Sequence, residues 1–332
     1  MANESTNKLE DIVVPELFTQ YVLDETIEKS ELIDSGLVEN NPKLDQLVSG
    51  GGTVITMPKW NGLKGKSQVF TMNRDMATRK VTARKELGTI LSRGNGWSTH
   101  DLAGALAGSS PRQAIALELG KWWKTDEQDI VGAILNGVFA SAGMADHILD
   151  ITGKNNKNIS AKSVLAAKQL LGDNANTLKI MYMHSAVHTA LQQQQLITTV
   201  PEAEGKIGFE TYLGYRIIVD DSAPVEIGTG STPSRFTTYL LAPGAIQRGT
   251  GTPVDFVATE IERRESAATT ILWNRQMKCL HPKGMSWIGA ANTTDETPSN
   301  EELATGNNWE VAVDNLKKIG MVALVHNIDE TL

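Results

Sequence analysis

Apolar positions recur at helical spacing near the start of the chain. Ile12, Leu17, Val22, Leu23, Ile27, Ile33 and Leu37 stand among acids and predict an amphipathic helix over residues 8–39. Pro15 suits a helix start, and Gly36 with Asn40-Asn41-Pro42 suits its end. After the break at Gly50-Gly51-Gly52, Thr53–Met57 reads as a β-branched strand stopped by Pro58. Lysines and glycines over 59–67 suit a hairpin tip, and 68–95 returns as one or two strands. Residues 49–108 therefore predict a long extended excursion, poor in apolar residues and in need of a partner surface.

A different pattern begins at Ser109-Ser110-Pro111, which suits a helix start. Ile115, Leu119, Trp122, Ile130, Ile134 and Val138 follow at helical spacing, and Gly143 suits the stop. About 32 residues at ~1.5 Å each make a rod of roughly 48 Å. Beyond it the pattern becomes mixed. Ser160 caps a helix ended by Gly172, Leu178–Met183 is a strand, and a second helix covers 185–196. Tyr212–Val219, Phe236–Leu241, Val254–Ile261, Thr269–Leu280 and Ile319–Val325 read as strands. Ser299-Asn300-Glu301-Glu302 fits a capping box before a short helix. The fold class is α+β.

Composition narrows the function. The formal charge of −8 does not suit a protein that coats nucleic acid. Its distribution is uneven: residues 1–48 carry a net −8, residues 49–95 a net +7, and the remainder −7. An acidic segment beside a basic one invites pairing, within one chain or between neighbours. A single cysteine, Cys279, builds neither a disulfide framework nor a cysteine-based zinc site. No signal peptide and no span of ~20 apolar residues are legible, so no membrane is expected.

Motifs for chemistry are weak. His184 and His188 share a helix face, but Ser185 stands where a zincin carries glutamate. Asp220-Asp221 suits a turn better than an ion site. Gly65-Lys66-Ser67 lacks the glycine five positions earlier, where Trp60 stands, and no helix follows. Cys279 and His281 share a strand face without a third group to orient a base, and a buried thiol is the expectation. Trp122-Trp123 reads as packing or subunit contact. No catalytic residue, cofactor or metal is expected.

From residue 180 onward, ordered segments carry a resemblance. They are MHSAVHTALQQQQLI (183–197) with Pro201, YLGYRIIVDDSAP (212–224), TTYLLAPGAI (237–246) and TEIERRESAATTILWNRQMKCLHPKGMSW (259–287). SNEELA (299–304), NNWE (307–310) and VHN (325–327) follow. In this order they resemble a family of tailed-bacteriophage major capsid proteins with the Hong Kong 97-type fold. The first 150 residues match only through the acidic arm, the basic excursion and the long helix.

The resemblance implies an N-terminal arm (1–48), an extended loop (49–108), a spine helix with the start of a peripheral domain (109–154), an axial domain (155–250) and a mainly peripheral remainder (251–332). It implies a non-enzymatic protein whose copies form hexamers and pentamers of a shell around double-stranded DNA, assembled in the host cytoplasm and found in the virion capsid. Implied partners are a portal protein, a scaffolding protein and a decoration protein, with DNA touched non-specifically at most. The acidic arm begins almost at Met1, so no large removable scaffold segment is expected. Candidate contacts are Lys59, Trp60, Lys64, Lys66, Arg74, Arg79, Lys80, Arg84 and Lys85 of the basic loop. Some relatives join subunits through lysine–asparagine isopeptide bonds; no motif marks Lys59, Lys64 or Lys66 as reactive. The rivals are an encapsulin-like compartment shell and, in another class, a metal-dependent hydrolase using His184, His188 and Asp220 or Asp221.

Overall fold

A computed structural model describes residues 35–63, 65–70, 72, 75–100, 111–194, 197–200, 209–228 and 233–328. In chain order the first elements are β1 (Val38–Asn40), α1 (Pro42–Ser49), β2 (Val54–Trp60), β3 (Ala83–Thr89), β4 (Leu91–His100) and α2 (Pro111–Ala140). Then come β5 (Ile148–Asp150), α3 (Ala161–Gln169), β6 (Ile180–Met183), α4 (Ser185–Gln193), β7 (Ile197–Val200), β8 (Phe209–Tyr212) and β9 (Tyr215–Val219). The remainder comprises β10 (Val225–Glu226), β11 (Arg235–Leu241), β12 (Ile246–Thr250), β13 (Thr259–Arg264), β14 (Thr269–Pro282) and β15 (Met285–Trp287). It closes with α5 (Asn300–Leu303), β16 (Trp309–Val311) and β17 (Met321–His326).

Near-continuous apolar runs place the central sheet. Ile180–Met183, Tyr239–Leu241 and Met321–Leu324 are buried throughout. Such runs occur where both faces of a sheet are covered. Alternation then splits each strand between two cores. Ile180, Tyr182, Tyr239, Leu241, Met321 and Ala323 face the second half of α2. Met181, Met183, Leu240, Val322 and Leu324 face the cluster built by α3 and α4. The eight-stranded sheet runs β5-β17-β11-β6-β9-β8-β7, with β10 also on β11.

A second sheet of five strands carries β1-β12-β14-β13 in order, with β4 on the other side of β14. Here β4 pairs with β14 over ten residues, from Leu91↔Lys278 to His100↔Thr269. The division expected at residue 250 does not coincide with a sheet boundary. β12 belongs to the sheet of β14, and β17 returns to the eight-stranded sheet beside β11.

The long helix spans Pro111–Ala140, ~45 Å at 1.5 Å per residue. It ends before Gly143, which lies in a following 3-10 turn. Its apolar residues Ile130, Val131, Ile134, Leu135, Val138 and Phe139 enter the main core. Buried ion pairs key it to the five-stranded sheet. Arg248 meets Glu127 at 3.2 Å and donates to Asn40 at 2.8 Å. Lys278 meets Asp126 at 3.3 Å and lies over the Trp123 ring. Trp123 donates to Asn274 at 2.7 Å.

Gly137 lets the helix end pack without a gap. A Cβ there would stand 2.0 Å from the Leu303 carbonyl oxygen, which accepts from Trp309 Nε1. Gly137→Ala is expected to lower the urea midpoint: such overpacking costs ~1–3 kcal/mol, above the ~1 kcal/mol of helix propensity that alanine returns. Gly132→Ala, whose Cβ would meet only the Tyr182 hydroxyl at 3.9 Å, is the control and is expected not to lower it. Equal midpoints for the two variants would contradict the packing.

Local readings fail at five places. Residues 35–39 are not helical: Gly36 turns at φ +77 and β1 follows. Residues 8–34 of that expected helix lie outside the described residues. Asn41 and Pro42 open a helix rather than close one, because the Asn41 side chain accepts from the Lys43 N–H. Pro58 does not stop its strand, since β2 and β3 form a two-stranded ribbon whose open edges tolerate proline. Tyr212–Val219 is two strands, joined by a two-residue turn with both Leu213 (φ 51) and Gly214 (φ 82) left-handed. Residues 254–258 lie outside any strand, and β13 runs on to Arg264.

Buried histidines make stability depend on pH. His326 Nδ1 faces its neighbour's carbonyl at 3.0 Å and Nε2 faces the Thr238 hydroxyl at 2.8 Å, which suits the neutral ring. Burial holds its pKa down at about 4, against ~6.5 in an unfolded chain. Between these values the unfolded chain binds the extra proton. Stability contributed by His326 is therefore complete above pH ~6.5 and is lost as pH falls toward 4. His326→Gln is expected to flatten the urea-midpoint profile in that window; an unchanged slope would assign it elsewhere.

Candidate subunit interface

The β2–β3 ribbon runs in register from Val54↔Thr89 to Trp60↔Ala83. One more backbone bond, Asn61 N–H to Thr82 O at 2.9 Å, extends it. Beyond this the chain leaves the ladder. Gln68 clasps Ala77 instead, donating to its carbonyl and accepting its N–H. Neither ribbon strand pairs with any other strand among the described residues.

The ribbon changes character along its length. At its root, Ile55, Met57 and Ile90 pack on Leu44, Val48 and Cys279. Toward its tip, apolar side chains have no core to enter. Trp60 is 74% exposed, Leu63 89%, Phe70 77% and Met72 99%, and Val69, Met76 and Val81 are also exposed. Of these, Trp60 alone is among the contacts expected from sequence, where the excursion reads as poor in apolar residues. Their signal was present: apolar residues in a segment too short of neighbours to bury them.

The expected contact residues divide into two groups among those described. Trp60, Lys66, Arg79, Lys80 and Lys85 are exposed on the ribbon and its tip. The Arg79 guanidinium lies against Gly65, where a Cβ would come within 2.2 Å of it. Lys59 and Arg84 instead turn to Glu86, a carboxylate with no solvent exposure. Lys59 Nζ donates to Oε2, and Arg84 reaches Oε1 at 3.3 Å. His281 of β14 faces the same carboxylate at 3.4 Å. Burial alone would raise the Glu86 pKa; the hydrogen bonds from His281 and Lys59 and the lysine charge hold it at about 2. Lys64 and Arg74 lie outside the described residues.

The other residues considered for chemistry have local partners. His184 is the N-cap of α4, its Nδ1 accepting from the Ala186 N–H at 3.0 Å. His188 pairs with Glu210, and Asp221 stands 3.9 Å from His184. Asp220 accepts from Tyr182 and Gln128. The two imidazoles thus pair with different carboxylates, and no group of three potential metal ligands converges among the described residues. Cys279 is buried, and burial pushes its thiol up to about 12. No helix among the described residues is long and apolar enough to cross a membrane.

Comparison with known proteins is consistent in kind. The family model described as Gp13-like, major capsid protein 13-like, matches residues 120–322. The major capsid protein of Bacillus phage SPP1 is 39% identical over 323 residues, covering 97% of this chain and 98% of the relative. The capsid of Ralstonia phage GP4 superposes with a TM-score of 0.56 at 9% identity, covering 92% of each chain. The capsid of cyanophage Pam1 gives 0.54 at 10% identity, over 99% of this chain and 98% of that one. The two structures speak for the fold alone, which is of the Hong Kong 97 type.

Proposed function

Because this chain belongs to the Gp13-like family of major capsid proteins, and is a major capsid protein of a tailed phage, we propose that its copies close into an icosahedral shell of hexamers and pentamers around double-stranded DNA. The observation that carries the mechanism is the ribbon tip. It presents cations and bare apolar side chains that are exposed among the described residues. A neighbouring copy offers what the tip lacks: apolar surface for Trp60, Phe70 and Met72, and acidic surface for Lys66, Arg79, Lys80 and Lys85. The acidic arm, residues 1–48 at net −8, is the complementary charge.

Each exposed ion pair is worth only ~0–1 kcal/mol. Repetition around a closed lattice multiplies such contacts, while single weak contacts let misplaced subunits leave. In this assignment residues 49–108 are the extended loop, 109–154 the spine helix and start of the peripheral domain, 155–250 the axial domain, and 251–332 mainly peripheral. Assembly takes place in the host cytoplasm with a scaffolding protein and a portal protein, and a decoration protein joins the outside. The inner wall touches DNA non-specifically, as a chain of net −8 suits weak rather than tight contact. An encapsulin-like shell would share the fold; the 39% identity to a phage major capsid protein favours the virion.

Sedimentation of purified protein across a salt series tests the contact mechanism. Closed particles should form at low salt, with assembly falling steeply toward 1 M, where the Debye length is ~3 Å. Particle yield that ignores salt would remove ion pairing from the account.

A further inference from the structure

We propose that Glu86 is a positioning residue for assembly, a buried latch that fixes the angle at which the ribbon leaves the subunit body. The proposal rests on the ribbon being the intersubunit element. Three observations carry it.

First, the ribbon is a separate sheet, joined to the body by no strand pairing among the described residues. Its first strand follows Gly50-Gly51-Gly52, where Gly51 and Gly52 hold φ of +77 and +101. A Cβ on either would meet nothing within 4 Å, so these glycines serve backbone freedom rather than close packing. Second, the seam beneath the ribbon is mainly apolar: Ile55, Met57 and Ile90 on Leu44, Val48 and Cys279. Apolar contact is non-directional and by itself permits pivoting.

Third, Glu86 is the charged group set into that seam. It takes Lys59 of β2 and Arg84 of β3 from the ribbon side, and faces His281 of β14 on the body side. Beside it the Leu87 N–H donates to Ser286 of β15 at 3.2 Å. Gly88 lies on the same β14 face: a Cβ there would stand 3.4 Å from Cys279 Sγ and 3.5 Å from His281 Nδ1, ordinary contact distances. A buried carboxylate contributes little net stability over an apolar residue of the same volume. Its charge-assisted bonds are directional, and direction is what the apolar seam lacks.

The test uses the unassembled full-length subunit. Glu86→Gln keeps the shape and removes the charge. Circular dichroism should stay native. Hydrogen exchange of residues 54–60 and 83–89 should rise at least tenfold, with 180–183 and 321–326 unchanged. Labelling of the single thiol, Cys279, should accelerate by a similar factor, and shell yield should fall at least tenfold. Native exchange and labelling would overturn the latch, as would faster labelling with native shell yield. Should Glu86→Gln not fold, Lys59→Met, on the exposed side of the pair, gives the same readouts with the same expected signs. Charge reversal at the tip separates this idea from the proposed contact. Tip variants should lose shells while Cys279 stays protected. Shells from tip variants but not from Glu86→Gln would sink the charge contact and leave the latch. The reverse pattern would sink the latch alone.

Discussion

Reversing Lys66, Arg79 and Lys80 to glutamate is expected to abolish shell formation and to leave a soluble, folded subunit. All three are exposed on the tip and outside every core cluster, so their replacement disturbs no core packing. Each substitution exchanges an attraction for a repulsion at an intersubunit contact. A single pair changes by no more than ~1 kcal/mol, yet the change recurs at every copy and is multiplied through the lattice. Lys59 and Arg84 stay native in this variant, because Glu86 already occupies them and their reversal would strand a buried carboxylate. Negative-stain micrographs read the outcome, and circular dichroism establishes the fold. Shells of native yield from the triple variant would exclude the tip charges as the contact.

The second large effect lies in the body. Glu127→Leu is expected to destabilise the subunit by ~3–5 kcal/mol, because it leaves the Arg248 guanidinium buried without its carboxylate. Asn40 still accepts from Arg248 Nε but brings no charge. The double variant Glu127→Leu with Arg248→Met should recover most of that loss, since an apolar pair of similar volume packs without desolvating ions. Urea unfolding of the two variants measures both steps. If Glu127→Leu alone is neutral, the pair does not key the long helix to β12.

The parts that the sequence made legible are those governed by local rules. Ser160 and Ser299 cap helices with reciprocal side-chain bonds, although at Ser160 the partner is Ser163 rather than an acid. The helical spacing after Pro111 yields the long helix, and the apolar runs at 180–183 and 321–325 yield central strands. Turn chemistry misled where one residue serves two purposes. Asn41-Pro42 reads as a stop or a start, and only the capping bond decides. Leu213 in a left-handed turn carries no sequence warning.

Long-range pairing was not legible. β4 joins β14 across nearly two hundred residues of chain, so part of the expected free excursion is anchored in a sheet. The same holds for the site. Lys59 and Arg84 read as solvent-facing cations because their partner, Glu86, is one of only two acids in a basic stretch. His281, 195 residues beyond Glu86, completes the cluster through the fold alone. The exposed tip residues Lys66, Arg79, Lys80 and Lys85 were recognisable because exposure there follows from a lack of apolar neighbours.

Electron microscopy of the purified protein, produced alone and together with the products of neighbouring genes, tests the central claim most directly. The account predicts closed icosahedral shells built from hexamers and pentamers of this chain. A monomer or small dimer under every condition would contradict it.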